Sequence, residues 1–161
     1  MIVIREAEPD DAEVIATLAN RLNAHEGLSD TAFSAETIRR DAFERQTGLT
    51  VLLAELDGAT VGYAFFHDFY NSEIPGWGAW LTDIYVDDDR RGHGIGKKLM
   101  AAVCRQAADR GLVSLWWGVR NENEKASAFY REMGAHDDDA RILELNGAAL
   151  HKAADTAEDR D

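Results

Sequence analysis

The chain has 161 residues, 45% hydrophobic and 29% charged, a length and balance that suit one globular domain with a sizeable core. Its formal charge of −13 argues against general binding to DNA or RNA, which needs basic surface; it fits solubility, a salty cytoplasm, or a field that concentrates amines. No apolar run suits a bilayer span, MIVIREAEPDD lacks a basic-then-apolar leader pattern, and the lone Cys104 leaves no disulfide or zinc cluster, so a cytoplasmic chain with no metal, membrane or nucleic-acid partner is expected.

Ile2–Arg5 alternates and reads as a short strand. Asp10 and Glu13 have capping-box spacing, which predicts a helix with Val14, Ile15, Leu18, Ala19 and Leu22 on its apolar stripe and Gly27 at its end. Ser34 is placed to cap a second helix, with Ile38, Ala42 and Phe43 facing inward. Thr50–Leu56 and Thr60–His67 read as strands joined at Asp57-Gly58, a hairpin signal. Asn71–Gly78, with Pro75, Gly76 and Gly78, reads as a loop, and Trp80–Val86 as an apolar strand. A helix is expected from about Gly94 to Arg110, because Ile95, Leu99, Val103 and Ala107 recur at helical spacing before Gly111.

Leu112–Val119 is strand-like. Asn123 can cap a helix carrying Ala126, Phe129, Tyr130 and Met133, which Gly134 ends. Arg141–Leu145 reads as a last strand and Ala148–Ala154 as a short helix. One domain over 1–154 is expected, with 155–161 as an acidic, frayed tail. The order β-α-α-β-β-β-α-β-α-β predicts an α/β (α+β) fold: a central mixed, mostly antiparallel sheet flanked by helices.

The segment VDDDRRGHGIGKKLM, from Val86 to Met100, joins a strand to a helix. Glycine permits a left-handed turn and close approach of a ligand to the backbone. The first N–H groups of the helix lack internal partners and carry the positive end of its dipole. Arg90, Arg91, Lys97 and Lys98 add charge. The combination reads as a phosphate site, with a diphosphate as the expected ligand, and Asp87–Asp89 as a solvated turn. The dinucleotide pattern G-x-G-x-x-G fails because Lys97 follows Gly96, and the Walker pattern fails at Arg91 and Lys98.

Arg91-x-x-Gly94-x-Gly96 resembles the acetyl-CoA signature of the GNAT superfamily of N-acetyltransferases. NENEKASAFYREMGA resembles that family's second hallmark, and the likeness runs from Ile2 to about Leu145. With NGAALHKAA it is similar to the spermidine/spermine and thialysine acetyltransferase branch. The resemblance implies a GNAT-type acyl-CoA N-acyltransferase fold, acetyl-CoA as cosubstrate, and a homodimer. It also implies direct acetyl transfer to a primary amine of a small cationic or amino-acid-like acceptor: a polyamine, a diamine or a lysine analogue. A protein or peptide acceptor, or a non-catalytic acyl-CoA sensor, remain alternatives.

By the same resemblance the pantetheine arm runs along the backbone of Ile84, Tyr85 and Val86. The diphosphate meets Arg91, Gly92, His93, Gly94, Ile95, Gly96 and Lys97. The Ile84 amide polarises the thioester carbonyl, Tyr130 protonates the departing thiolate, and Asn123 touches the cofactor. On residues alone, Ile84, Val86 and Tyr130 are core positions and Asn123 a helix cap. The Glu-Asp pair of the polyamine branch is here Thr82-Asp83, which leaves Asp83 to bind the amine or a water chain to carry its proton. His25, Glu26, His67 and Glu73 lie in segments that would border the acceptor channel, and spacing selects none of them. Phe69, Tyr70, Trp77 and Trp80 cluster before the strand, where an alkylammonium contact competes with a core edge or a dimer contact.

Overall fold

Five strands lie side by side in chain order: β1 (Ile2–Glu6), β2 (Thr50–Leu56), β3 (Ala59–Asn71), β4 (Gly76–Val86) and β5 (Leu115–Trp117). The first four pair antiparallel, and β5 pairs parallel to β4. This computed structural model describes residues 1–45, 48–138 and 141–155. They fall into two compact units, Met1–Gly118 and Val119–Asp161, and the sheet belongs to the first. Its β2–β3 turn uses Asp57 (φ 51°) and Gly58 (φ 86°), the paired left-handed residues that match strand twist in a tight hairpin.

The pleat sends alternate side chains to opposite faces. On one face Val51, Leu53, Tyr63, Phe65 and Tyr85 form the core with Ile15, Leu18 and Ala19 of α1 (Ala12–His25) and Ile38 of α2 (Ala35–Ile38). Ser34 caps α2 as expected, its Oγ accepting from Thr37 N at 3.1 Å. A wider π-helical turn, Arg39–Glu44, continues α2 and brings Ala42 and Phe43 against the same core. The alternate strand positions, including Leu52, Ala64, Phe66 and Leu81, are left for α3 (Ile95–Asp109). That helix buries Ile95, Leu99, Met100, Val103 and Ala107.

Several boundaries differ from expectation, and of the strand-like Leu112–Val119 only Leu115–Trp117 pairs. A single 3-10 turn, Pro9–Asp11, precedes α1, and Asp11 rather than Asp10 organises it. Glu8 N donates to Asp11 Oδ2 at 2.8 Å, and Arg5 grips both Asp11 oxygens at 2.7 and 2.8 Å. That guanidinium holds the Asp11 carboxyl below its usual range.

The expected Asn71–Gly78 loop is instead a hairpin whose strands run to Asn71 and from Gly76. Ring pairs sustain the ladder: Tyr70 meets Trp77 edge-on at 5.8 Å, and Phe69 lies 6.5 Å from Trp80. Gly78 is required for closeness, since a Cβ there would sit 2.5 Å from Ser114 Oγ. Asn71 is 2% exposed. Its Oδ1 accepts from Glu73 N and Ile74 N at 2.9 and 3.1 Å, and its Nδ2 donates to Ser114 Oγ at 2.9 Å. One buried amide thus shapes the turn and ties it to the approach to β5.

The second unit holds α4 (Glu124–Glu132) and α5 (Gly147–Asp155). The expected strand Arg141–Leu145 does not form: residues 141–146 carry no ladder, with Ile142, Leu143 and Leu145 exposed. A strand needs a partner for its backbone groups, and among the described residues of this unit there is no other strand. Of the expected tail, residues 156–161 lie outside the described residues.

Replacing Asn71 strands a half-buried hydroxyl and two turn amides. Asn71→Ala is expected to cost about 2 kcal/mol, read from the urea midpoint; an unchanged midpoint would contradict this account.

Candidate active site

Thr82 breaks the register. Phe65 pairs with Asp83 and Phe66 with Leu81, so Thr82 is an extra residue in β4. Its Oγ1 donates to Phe65 O at 3.1 Å. Such a bulge bends its strand and ends regular pairing. On the far side of β4, β5 pairs with Ala79, Trp80 and Leu81 only. Beyond the bulge, that edge of β4 has no strand partner among the described residues of this unit.

The direction of the open groups follows from the ladder. Asp87 N donates to Val61 O at 2.9 Å. Antiparallel alternation then turns the backbone groups of Tyr85 and Asp83 toward β3, and those of Ile84 and Val86 toward the open edge. Val86 O agrees, since it accepts from Arg91 Nε at 3.1 Å.

The glycine-rich turn follows directly. Gly92 (φ 86°) and Gly94 (φ 77°) are left-handed, and Gly94 is the N-cap of α3. Ile95, 2% exposed, pins the helix start to the core. The first helical bond runs from Lys98 N to Gly94 O at 3.1 Å. The N–H groups of Ile95, Gly96 and Lys97 therefore have no intrahelical acceptor, and they carry the positive end of the dipole. A Cβ on Gly96 would lie 4.0 Å from Val86 Cγ2, so the helix begins over the end of β4. His93 Nδ1 sits 3.2 and 3.1 Å from the carbonyl oxygens of Arg90 and Arg91, within the turn.

Of the acids expected as a solvated turn, Asp88 and Asp89 are exposed, while Asp87 is half-buried. Asp87 receives two bonds from Arg21 Nη1 of α1, at 2.9 and 2.8 Å. Asp88 lies 2.7 Å from Arg91 Nη2 and 3.9 Å from His25 Nδ1. Arg91 also stands 5.8 Å over the Tyr85 ring. Asp88 meets Arg91 three residues on, whereas Asp87 is reached by Arg21 from α1, distant in sequence.

Asp83 faces the α1 side. Tyr63 Oη donates to its Oδ2 at 3.1 Å. Burial pushes the Asp83 carboxyl above its usual range; the Glu26 charge adds to this, while the Tyr63 bond opposes it. Burial likewise pushes the Tyr63 phenol up, and Asp83 adds to that. Glu26, just past α1, is thus the one of the four flanking candidates whose charge bears on Asp83. His67 turns Nδ1 to Asp68 O at 3.0 Å, and Glu73 N binds Asn71 in the hairpin turn. The hydroxyl of Thr82 is committed to backbone.

The structure therefore brings together Asp83, Ile84, Tyr85 and Val86 with Arg91, Gly92, His93, Gly94, Ile95, Gly96 and Lys97. Asn123 and Tyr130 belong to the second unit. Asn123 caps α4, its Oδ1 accepting from Ala126 N at 3.1 Å. Tyr130 is half-buried, with its ring 5.2 Å from Phe129, and burial pushes its phenol up. Tyr63 and Arg21 escaped the sequence reading. Counting from the Asp57-Gly58 turn sets Tyr63 opposite Leu53; its place opposite Tyr85 depends on the β3–β4 register, which shifts at Thr82, so no local signal marked it.

Residues 15–135 match the Acetyltransferase (GNAT) family. The chain is 34% identical over 145 residues to the thialysine N-epsilon-acetyltransferase of Bos taurus, covering 84% of this chain and 85% of that protein. It is 34% identical over 95 residues to the L-ornithine N5-acetyltransferase of Arabidopsis thaliana, 58% of this chain and 42% of that one. Among solved structures, an integron cassette protein from the mobile metagenome of V. cholerae superposes with a TM-score of 0.80 at 21% identity, covering 95% and 97% of the two chains. The chain belongs to the GNAT acetyltransferase family. It is an N-acetyltransferase that passes an acetyl group to an amine, with the family's cosubstrate, acetyl-CoA. The unpaired N–H groups beside Arg91 and the open edge of β4 fit that cosubstrate's diphosphate and amide-bearing arm.

Asp83 binds its proton more tightly folded than unfolded. Its stabilising contribution is therefore full below the unfolded pKa, near 4, and is lost as pH rises through the folded value. Asp83→Asn, which keeps an acceptor for Tyr63, is expected to raise the urea midpoint at pH 7 and to flatten its fall above pH 4. A lower midpoint at pH 7 would contradict the assigned burial.

Proposed function

We propose that this enzyme acetylates a primary amine of a small cationic or amino-acid-like acceptor, such as a diamine, a polyamine or a lysine analogue. The observation that carries the reading is the half-buried Asp83, held by Tyr63 beside the charge of Glu26, one bulge away from the open edge of β4. Carboxylates so placed favour an ammonium group. Names of similar proteins, thialysine and L-ornithine acetyltransferases, support the same class of acceptor. The acidic balance of the chain adds attraction at longer range.

When bound, acetyl-CoA supplies the activated acyl group. The N–H groups of Ile95, Gly96 and Lys97, with Arg91 and the turn of Gly92, His93 and Gly94, hold its diphosphate. The open-edge backbone groups of Ile84 and Val86 orient the arm, those of Tyr85 being turned to β3, and the Ile84 N–H stabilises charge on the carbonyl oxygen. Asp83 holds the acceptor ammonium and takes the proton that the nitrogen must lose before it attacks. The second amine proton balances the one delivered to the departing sulfur. Tyr130 Oη is assigned that delivery from its place in the AFYREMGA motif, and a raised phenol keeps its proton at neutral pH. Asn123, from the longer segment NENEKASAFYREMGA, contacts the cosubstrate.

A screen of diamines, polyamines and lysine analogues with acetyl-CoA is expected to find turnover; tight acetyl-CoA binding with no amine acetylated would refute the reading. Arg91→Ala and Gly94→Glu should each weaken acetyl-CoA binding tenfold or more, by about 1.4 kcal/mol, and unchanged calorimetric affinity in both would remove the diphosphate assignment. Tyr130→Phe is expected to lower kcat by about a hundredfold with cosubstrate affinity intact.

A further inference from the structure

Tyr63 is 0% exposed and sits in the core between β2 and β4. Its ring packs edge-on to Phe65 at 4.7 Å and lies 6.2 Å from the ring of Tyr85. A phenylalanine would fill that space equally well. The hydroxyl is a polar group in an apolar site, unfavourable to bury unless it is bonded, and its partner is Asp83 Oδ2.

The other oxygen of Asp83 has a different fate. No hydrogen bond to Oδ1 forms among the described residues. Yet no buried side-chain oxygen or nitrogen of a non-exposed residue lacks a partner, so Oδ1 reaches solvent. The carboxylate is held at one oxygen and presented at the other. The titratable groups that bear on it are Tyr63 of β3 and Glu26 beyond α1, with Tyr85 of β4 adjoining Tyr63. Among the described residues no lysine, arginine or histidine pairs with it.

We propose that Tyr63 is a positioning residue for the acceptor: its hydroxyl fixes Asp83 through Oδ2 so that Oδ1 receives the incoming ammonium beside Glu26. This rests on the acceptor site proposed above. Tyr63 touches no substrate and acts through Asp83. Held this way, the carboxylate presents one fixed acceptor in place of a rotating pair, and the tyrosine bond opposes the push of burial toward the protonated form.

The test uses the full chain, acetyl-CoA and the best amine from the screen. Tyr63→Phe is expected to raise the KM for the amine about tenfold, the worth of one bond to a charged group, and to leave the KM for acetyl-CoA unchanged. The acid limb of kcat/KM for the amine should move to higher pH, because the bond that holds the Asp83 proton affinity down is gone. In an Asp83→Ala background the same substitution should change the amine KM no further. An unmoved acid limb, an additive loss in that background, or failure of Tyr63→Phe to fold would each assign the hydroxyl to stability alone and overturn the proposal. If Asp83→Asn itself leaves amine turnover intact, the acceptor site falls; if Asp83→Asn is impaired and Tyr63→Phe is not, the role of Tyr63 alone falls.

Discussion

One surplus residue governs the first unit. Thr82 has no opposite number on β3, and its hydroxyl ties the irregularity to the Phe65 carbonyl. Before it, β4 is an interior strand, paired on both sides. After it, among the described residues β4 has a strand partner on one side only, and it runs through the glycine-rich turn into α3. The bulge also resets the pleat, so that Asp83 and Tyr85 face α1 while the backbone of Ile84 and Val86 turns to the open edge. A regular strand would have continued its pairing and closed this edge.

That constraint explains the neighbouring chemistry. Outward backbone donors therefore lie at Ile84 and Val86 on the open edge and again at Ile95, Gly96 and Lys97 at the start of α3, while those of Asp87, Arg90 and Arg91 are bonded within the fold. Backbone donors cannot be lost by side-chain substitution, and their direction is set by the sheet and by the buried Ile95. Side chains then add charge at separate places: Arg91 at the turn, Asp83 on the α1 face.

Much of this was legible in the sequence. The hairpin at Asp57-Gly58, the Ser34 cap, the apolar stripe of α3 and the glycine spacing each report a local rule. Their expected elements form, because local sequence and global fold agree there. The misses are of another kind. The hairpin from Asn71 to Gly76 hid behind Pro75 and two glycines, because its strands are sustained by cross-strand rings and a buried amide that lie far apart in sequence. Arg141–Leu145 alternates like a strand, yet alternation supplies no partner. The bulge at Thr82 left no mark at all: a threonine in an apolar run looks the same in register and out of it. With it went Tyr63, whose importance depends on which residue of β4 it faces. The pairing of Asp87 with Arg21 and of Asp88 with Arg91 was likewise invisible in a run of acids that reads as solvent-facing.

The engagement of Arg91 has a kinetic meaning. Its guanidinium already has an internal counter-ion in Asp88, so an anion arriving at the turn exchanges with a carboxylate rather than filling a bare charge. Exchange lowers the net gain from each contact, since the displaced acid returns to water and to His25. It also shortens the stay of whatever leaves, because Asp88 is on hand to reclaim the arginine. With the diphosphate seated at this turn as proposed, a resident competitor of this kind favours release of the spent cosubstrate over its retention.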